Sequence, residues 1–162
     1  MNKYILAFDP SGNYVEGKGT TGWVLIKASK ESTIILKEGT IRAKFYKSTC
    51  EYWKAHMDLI EDITRDYKFD MVVEDYRLYA SKAKSQINSS LETPRLIGVL
   101  LYYCFLNNIP IHLQAAATVK SRWSNGLLNK KGYKVLTLNE HTRDALRHAV
   151  HYKYFRKEKT NV

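Results

Sequence analysis

The run Tyr4-Ile5-Leu6-Ala7-Phe8 ends in Asp9-Pro10-Ser11-Gly12. Apolar side chains at consecutive positions suit a strand buried on both faces, in the middle of a parallel or mixed sheet. An ionised carboxylate at the tip of such a strand is costly unless hydrogen bonds or a metal compensate it. The fold must therefore bring something to Asp9. Two other acidic stretches are placed to meet it, Val72-Val73-Glu74-Asp75 and His141-Thr142-Arg143-Asp144.

The chain has 162 residues, the size of one domain with a real core. Hydrophobic residues at 44% argue against a disordered chain. Lysine and arginine number 26 against 16 acids, a formal net charge of +10, which favours a polyanionic partner, nucleic acid ahead of a membrane surface. The longest apolar run, Leu96 to Leu106, is too short to span a bilayer. The N-terminal apolar run is short and has no cleavage-site pattern, so no signal peptide is expected. Cys50 and Cys104 sit inside apolar helical patterns and are expected to be buried thiols in a reducing compartment. These features point to a cytoplasmic protein with neither a membrane partner nor an organic cofactor.

Lys3 to Phe8 reads as a first strand. A long glycine-rich loop leads to a second, Gly22 to Ile26, and Thr33–Leu36 with Gly39–Ile41 makes an antiparallel third. Ser48 to Tyr67 reads as a helix, with Ser48 and Glu51 at capping-box spacing and Trp53, Met57, Ile60, Ile63 and Tyr67 along one face. Met71–Glu74 is a fourth, buried strand. A basic, aromatic segment follows, then a second helix over about Leu91–Asn107 that is apolar on most sides and expected to be largely buried. Ile109–Leu113 reads as a fifth strand, Ala116–Lys120 as a helical turn, and Lys130-Lys131-Gly132 as part of a basic connection. A last helix is expected from about Asn139 to Phe155, capped by Thr137 or Asn139. The order is β-β-β-α-β-α-β-α-α, one α/β domain.

If strands one and four are parallel neighbours, Asp9 and Glu74 meet at their C-terminal ends, where open α/β sheets bind ligands. On the last helix His141, Asp144, Ala145 and His148 share one face. Laid over the strand tips, that face adds an imidazole and a third carboxylate. Such donors suit hard divalent cations, chiefly Mg²⁺ or Mn²⁺. Two ions about 4 Å apart activate a water and stabilise the leaving oxygen of a phosphodiester. Each residue also has a plainer reading: Asp-Pro-Ser-Gly is good turn chemistry, Glu74 can pair with a lysine, and His141 can simply open a helix. Together, acids at two buried strand ends in a basic protein favour the chemical reading.

Phe8-Asp9-Pro10-Ser11-Gly12 with Thr21-Gly22-Trp23, then Val72-Val73-Glu74-Asp75, then Ala117-Thr118-Val119-Lys120, then His141-x-x-Asp144-Ala145-Leu146 resemble the RuvC-type Holliday junction resolvases over nearly the whole chain. The nearest likeness is a phage-encoded, shorter-tailed member. The first motif alone is also similar to the Asp-Gly-Thr loop of actin- and hexokinase-like ATPases, which need two such domains. The resemblance implies an RNase H-like fold with a mixed five-stranded sheet flanked by helices. It also implies a homodimer and Mg²⁺-dependent cleavage of four-way DNA junctions, two ions per site, with Mn²⁺ as a substitute. Residues 1–156 would form the nuclease domain and 157–162 a flexible tail.

Residue by residue, the resemblance makes Asp9, Glu74 and Asp144 metal ligands and catalytic acids. His141 stands where many relatives carry a fourth aspartate and some a histidine. Lys120 matches the lysine held near the scissile phosphate, where its charge favours the transition state. After Glu74, bacterial relatives hold a phenylalanine that stacks on junction bases; Arg77 stands there in this chain, flanked by Tyr76 and Tyr79, and a tyrosine can stack on an unpaired base. Arg77, Lys82, Lys84, Arg122, Lys130, Lys131 and Arg143 join Lys120 as cations expected on the strand-tip face, positioning branched DNA through its phosphates. Cleavage of RNA–DNA hybrids and a non-cleaving junction-binding module are the other readings the residues leave open.

Overall fold

The computed structural model describes residues 3–77 and 91–156. The expected DNA contacts Tyr79, Lys82 and Lys84, and the expected tail 157–162, lie outside the described residues.

Strands β1 (Lys3–Asp9), β2 (Thr20–Ala28) and β3 (Thr33–Arg42) form an antiparallel meander. Helix α1 (Thr49–Asp66) then returns the chain to β4 (Phe69–Asp75), parallel to β1. Helix α2 (Glu92–Leu106) leads to β5 (Ile111–Ala115), parallel to β4. Three helices follow, α3 (Ala116–Arg122), α4 (Asn125–Lys130) and α5 (Glu140–Phe155). The sheet order is β3-β2-β1-β4-β5, which puts β1 in the middle, as its unbroken apolar run requires.

Strand alternation divides the core into two layers. Ile5, Ala7, Val24, Ile26 and Val72 face α5 and pack on Ala145, Leu146, Ala149 and Val150. Leu6, Phe8, Leu25, Met71 and Val73 face the other way, onto Ile60 and Ile63 of α1 and Leu96, Leu100 and Cys104 of α2. The same alternation settles the acids. Asp9 follows Ile5 and Ala7, and Glu74 follows Val72, so both emerge on the face covered by α5.

Several expectations need correction. Strand β5 starts two residues later than Ile109, because Pro110 has no N–H for the ladder and instead lends its carbonyl to the Met71 amide at 2.7 Å. The basic connection contains the short helix α4, capped by the Ser124 side chain. Cys50 is exposed on the first turn of α1, whereas Cys104 is buried. The buried face of α1 is centred on Tyr52, His56, Ile60 and Ile63, with Trp53 and Met57 at its margin. Helix α2 is not largely buried: Leu101, Tyr102, Phe105 and Leu106 stand out from the molecule, Phe105 at 76% exposure. An all-apolar helix pattern does not say which side a single sheet covers.

Candidate active site

Asp9 ends β1 opposite Gly22 of β2, and Phe8 pairs with Val73, so Glu74 lies one step along the neighbouring strand. Gly22 has a specific task. A Cβ there would stand 2.0 Å from the backbone carbon of His141, so only glycine lets the start of α5 rest on the sheet. Asn139 caps that helix, accepting the His141 N–H at 3.0 Å. The close approach brings His141 Nδ1 to 3.0 Å from Asp9 Oδ2. One turn on, Asp144 is buried over the strand tips.

Lys120 reaches the same spot from α3, which begins directly after β5. Its ammonium lies 2.9 Å from Asp144 Oδ2 and 3.5 Å from Glu74 Oε2. Burial works against its charge, but the Asp144 hydrogen bond and the charges of Glu74, Asp144 and Asp9 outweigh it and raise its pKa. Asp9 is pushed above the ordinary carboxylate range, first by burial and further by the charges of Glu74 and Asp144, against the lowering contact with His141. His141 is raised, chiefly by that same hydrogen bond. Both partners move up because burial, with the Glu74 and Asp144 charges, outweighs for Asp9 the contact that raises His141.

All five expected catalytic residues, Asp9, Glu74, Lys120, His141 and Asp144, thus lie together at the strand tips. Three further residues hold them. His148, fully buried, sets Nε2 at 2.9 Å from Glu74 and Nδ1 at 3.0 Å from Gln114 on β5. Arg147 pairs with Asp144 and is itself fixed by the Trp123 carbonyl at 2.9 Å and by Asn125. Helical spacing put His148 on the right face; nothing in the pattern marked Arg147 or Gln114.

A second support lies on the α1 side of the sheet. His56 Nδ1 donates to the Tyr52 carbonyl at 2.8 Å, which leaves Nε2 to accept the Thr21 hydroxyl at 2.8 Å. Thr21 Oγ1 accepts the Ser11 N–H at 3.1 Å, and the Tyr52 hydroxyl donates to the Ser11 carbonyl at 2.6 Å. Both backbone groups of Ser11, two residues past Asp9, are therefore held by side chains. Burial keeps His56 neutral, its pKa pushed down to about 4. Gly12 then packs on the first turn of α2, its N–H 3.0 Å from the Thr93 hydroxyl.

The expected DNA contacts are more scattered. Arg77 is exposed, with Nε 3.7 Å from Asp75. Tyr76 is partly buried against the α1 and α2 layer. Arg122 covers the Phe155 ring at 4.6 Å, and Lys131 covers Tyr154 at 4.8 Å, both at the far end of α5. Lys130 is exposed on α4, and Arg143 is half-buried with Nε unpaired among the described residues.

Three carboxylates and an imidazole form a donor set suited to a hard divalent cation. Asp9 is raised first by burial and then by the neighbouring Glu74 and Asp144 charges, all of which a bound cation would offset. As the side chains stand, Lys120 holds Glu74 and Asp144 while His141 holds Asp9. Among the described residues, no three His, Cys, Asp or Glu side chains surround one point.

No family model matches the chain, and no curated protein sequence does. Solved structures do. RuvC of T. thermophilus in complex with a Holliday junction substrate superposes with a TM-score of 0.72 at 14% identity, covering 94% of each chain. A second T. thermophilus RuvC structure gives 0.68 at 14% identity, over 93% of this chain and 94% of the other. The chain therefore has the RuvC form of the RNase H-like fold, a mixed five-stranded sheet flanked by helices.

Proposed function

We propose that this protein is a metal-dependent endonuclease that resolves four-way DNA junctions and acts on related branched DNA. One observation carries the reading: Asp9, Glu74 and Asp144 converge with Lys120 at the strand tips. The likeness to a RuvC structure holding a Holliday junction supports the choice of substrate. Asp9, Glu74 and Asp144, with His141, would hold Mg²⁺, or Mn²⁺ in its place, which when bound supplies Lewis-acid activation of water and of the leaving oxygen.

The chain's own groups do the rest. Lys120 sets a fixed positive charge where the phosphorane develops. His148 and Arg147 keep the Glu74 and Asp144 carboxylates aimed, and the hold on Ser11 fixes the backbone beyond Asp9. The products are 5′-phosphate and 3′-hydroxyl ends. Symmetric cutting needs two copies, and we assign their contact to the outer face of α2 around Phe105. Phe105→Asp should then sediment as a monomer if the wild type is a dimer; an unchanged dimer refutes that assignment.

The test is a labelled panel of four-way junction, fork, duplex and RNA–DNA hybrid, incubated in Mg²⁺ or in EDTA. Paired nicks in the junction only with Mg²⁺ support the reading. Faster cutting of the hybrid moves the substrate class. A second reading, a binding module that does not cut, draws on the pairing of the acids with Lys120 and His141; junction binding without nicks in Mg²⁺ or Mn²⁺ favours it.

A further inference from the structure

A cleft of about 310 Å³ opens beside His141. Its walls come from three stretches far apart in sequence: Gly17 and Gly19 before β2, Arg42 and Lys44 at the end of β3, and Glu140 and His141 at the start of α5. The sheet order places it opposite Lys120. Asp9 is on the middle strand, Lys120 enters past β5, and Arg42 ends β3 at the other edge, two strand spacings or about 10 Å from β1.

The two basic groups here differ from those around the acids. Lys120 and Arg147 spend their charge on Glu74 and Asp144. Arg42 is half-buried and Lys44 lies over the Phe45 ring at 5.1 Å; among the described residues neither forms a salt bridge. Glu140 is the acid of the cleft, exposed at its mouth. Gly17 takes φ +64° and has no atom near its missing side chain, which leaves the cleft open on the loop side.

We infer that this cleft seats a DNA backbone phosphate flanking the cleaved one, between Arg42 and Lys44. The inference rests on the nuclease reading and extends it. The cut strand crosses the sheet tips from the Lys120 side to the β3 side, with a cation at each end of the carboxylate row. Contacts of this kind fix register and carry no base information. They also guide the strand over Asp9 without neutralising the acids.

The experiment measures binding of a labelled four-way junction in EDTA over a range of KCl concentrations. Arg42→Ala with Lys44→Ala should weaken binding about tenfold at moderate salt and flatten the plot of log Kd against log salt by one to two units. Lys44→Glu, on an exposed side chain, should act the same way without risk to folding, and Glu140→Gln should tighten binding. Lys68→Glu, exposed at the opposite end of the sheet and equal in charge change, controls for net charge. Kd and slope matching that control overturn the cleft alone. A wild type that neither binds nor cuts the junction fails the nuclease reading itself.

Discussion

The two ends of β4 make an instructive pair. Asp70 and Glu74 lie four residues apart on one face of one strand, about 13 Å, and each meets a residue of α5. At the Asp70 end, one carboxylate receives Lys3, Arg156 at 3.3 Å and the Tyr152 hydroxyl, which His112 also contacts at 2.8 Å. Burial and Asp70 raise the Tyr152 pKa, so its proton stays in place. At the Glu74 end, three carboxylates face the two permanent cations Lys120 and Arg147, with His141 on Asp9 and His148 on Glu74. The first cluster is closed by the protein's own charges. The second gathers three carboxylates, and Asp9 is raised there first by burial and then by its acidic neighbours Glu74 and Asp144. On the proposed reading, the first cluster is structural and the second leaves room for a cation.

The same change should therefore act oppositely at the two ends. Asp70→Asn strips a mostly buried acceptor from two cations and should cost about 2 kcal/mol, a fall in Tm of about 4–8 °C. Asp9→Asn should leave Tm equal or higher. The sign follows from linkage: a carboxyl whose folded pKa is raised loses stability as pH rises through that pKa, so at neutral pH the ionised Asp9 is a burden that asparagine removes. Equal losses from both variants would break the comparison.

Mg²⁺ sharpens it next. At about ten times its Kd, the ion should stabilise the wild type and Asp70→Asn by about 1.4 kcal/mol and Asp9→Asn much less, read as thermal shifts. A shift retained in full by Asp9→Asn would place the ion elsewhere. The smallest effect belongs to the second support. Thr21→Val leaves the Ser11 N–H and His56 Nε2 without their partner, costing about 1 kcal/mol in stability. It should slow junction cleavage about tenfold with binding unchanged, and Thr21→Ser should restore the rate. A slow rate in both variants would mean that the hydroxyl does not position the loop.

Much of the site was legible in the sequence because two periodicities fix it. An apolar run of consecutive residues makes β1 central, and alternation then sends Asp9 and Glu74 to one face. Helical spacing puts His141, Asp144 and His148 on another, and the strand ends bring the two together. What was not legible depends on distant packing. Tyr52 and His56 stand outside the apolar face read from Trp53 and Met57, and their polar groups are matched by Thr21, which faces α1 across the sheet. Arg147 is one more cation in a basic helix until Asn125 and the Trp123 carbonyl fix it over Asp144. The exposure of α2 and the cleft at Arg42 depend on which elements stand beside them, and local sequence carries no trace of that.

The most direct measurement is single-turnover cleavage of a labelled four-way junction in Mg²⁺ by wild type and Asp9→Asn, with junction binding measured alongside. We expect paired nicks from the wild type, and from the variant a loss of cleavage of at least about a hundredfold at unchanged affinity. Equal cutting by Asp9→Asn, or binding without cutting by the wild type, would contradict the nuclease reading.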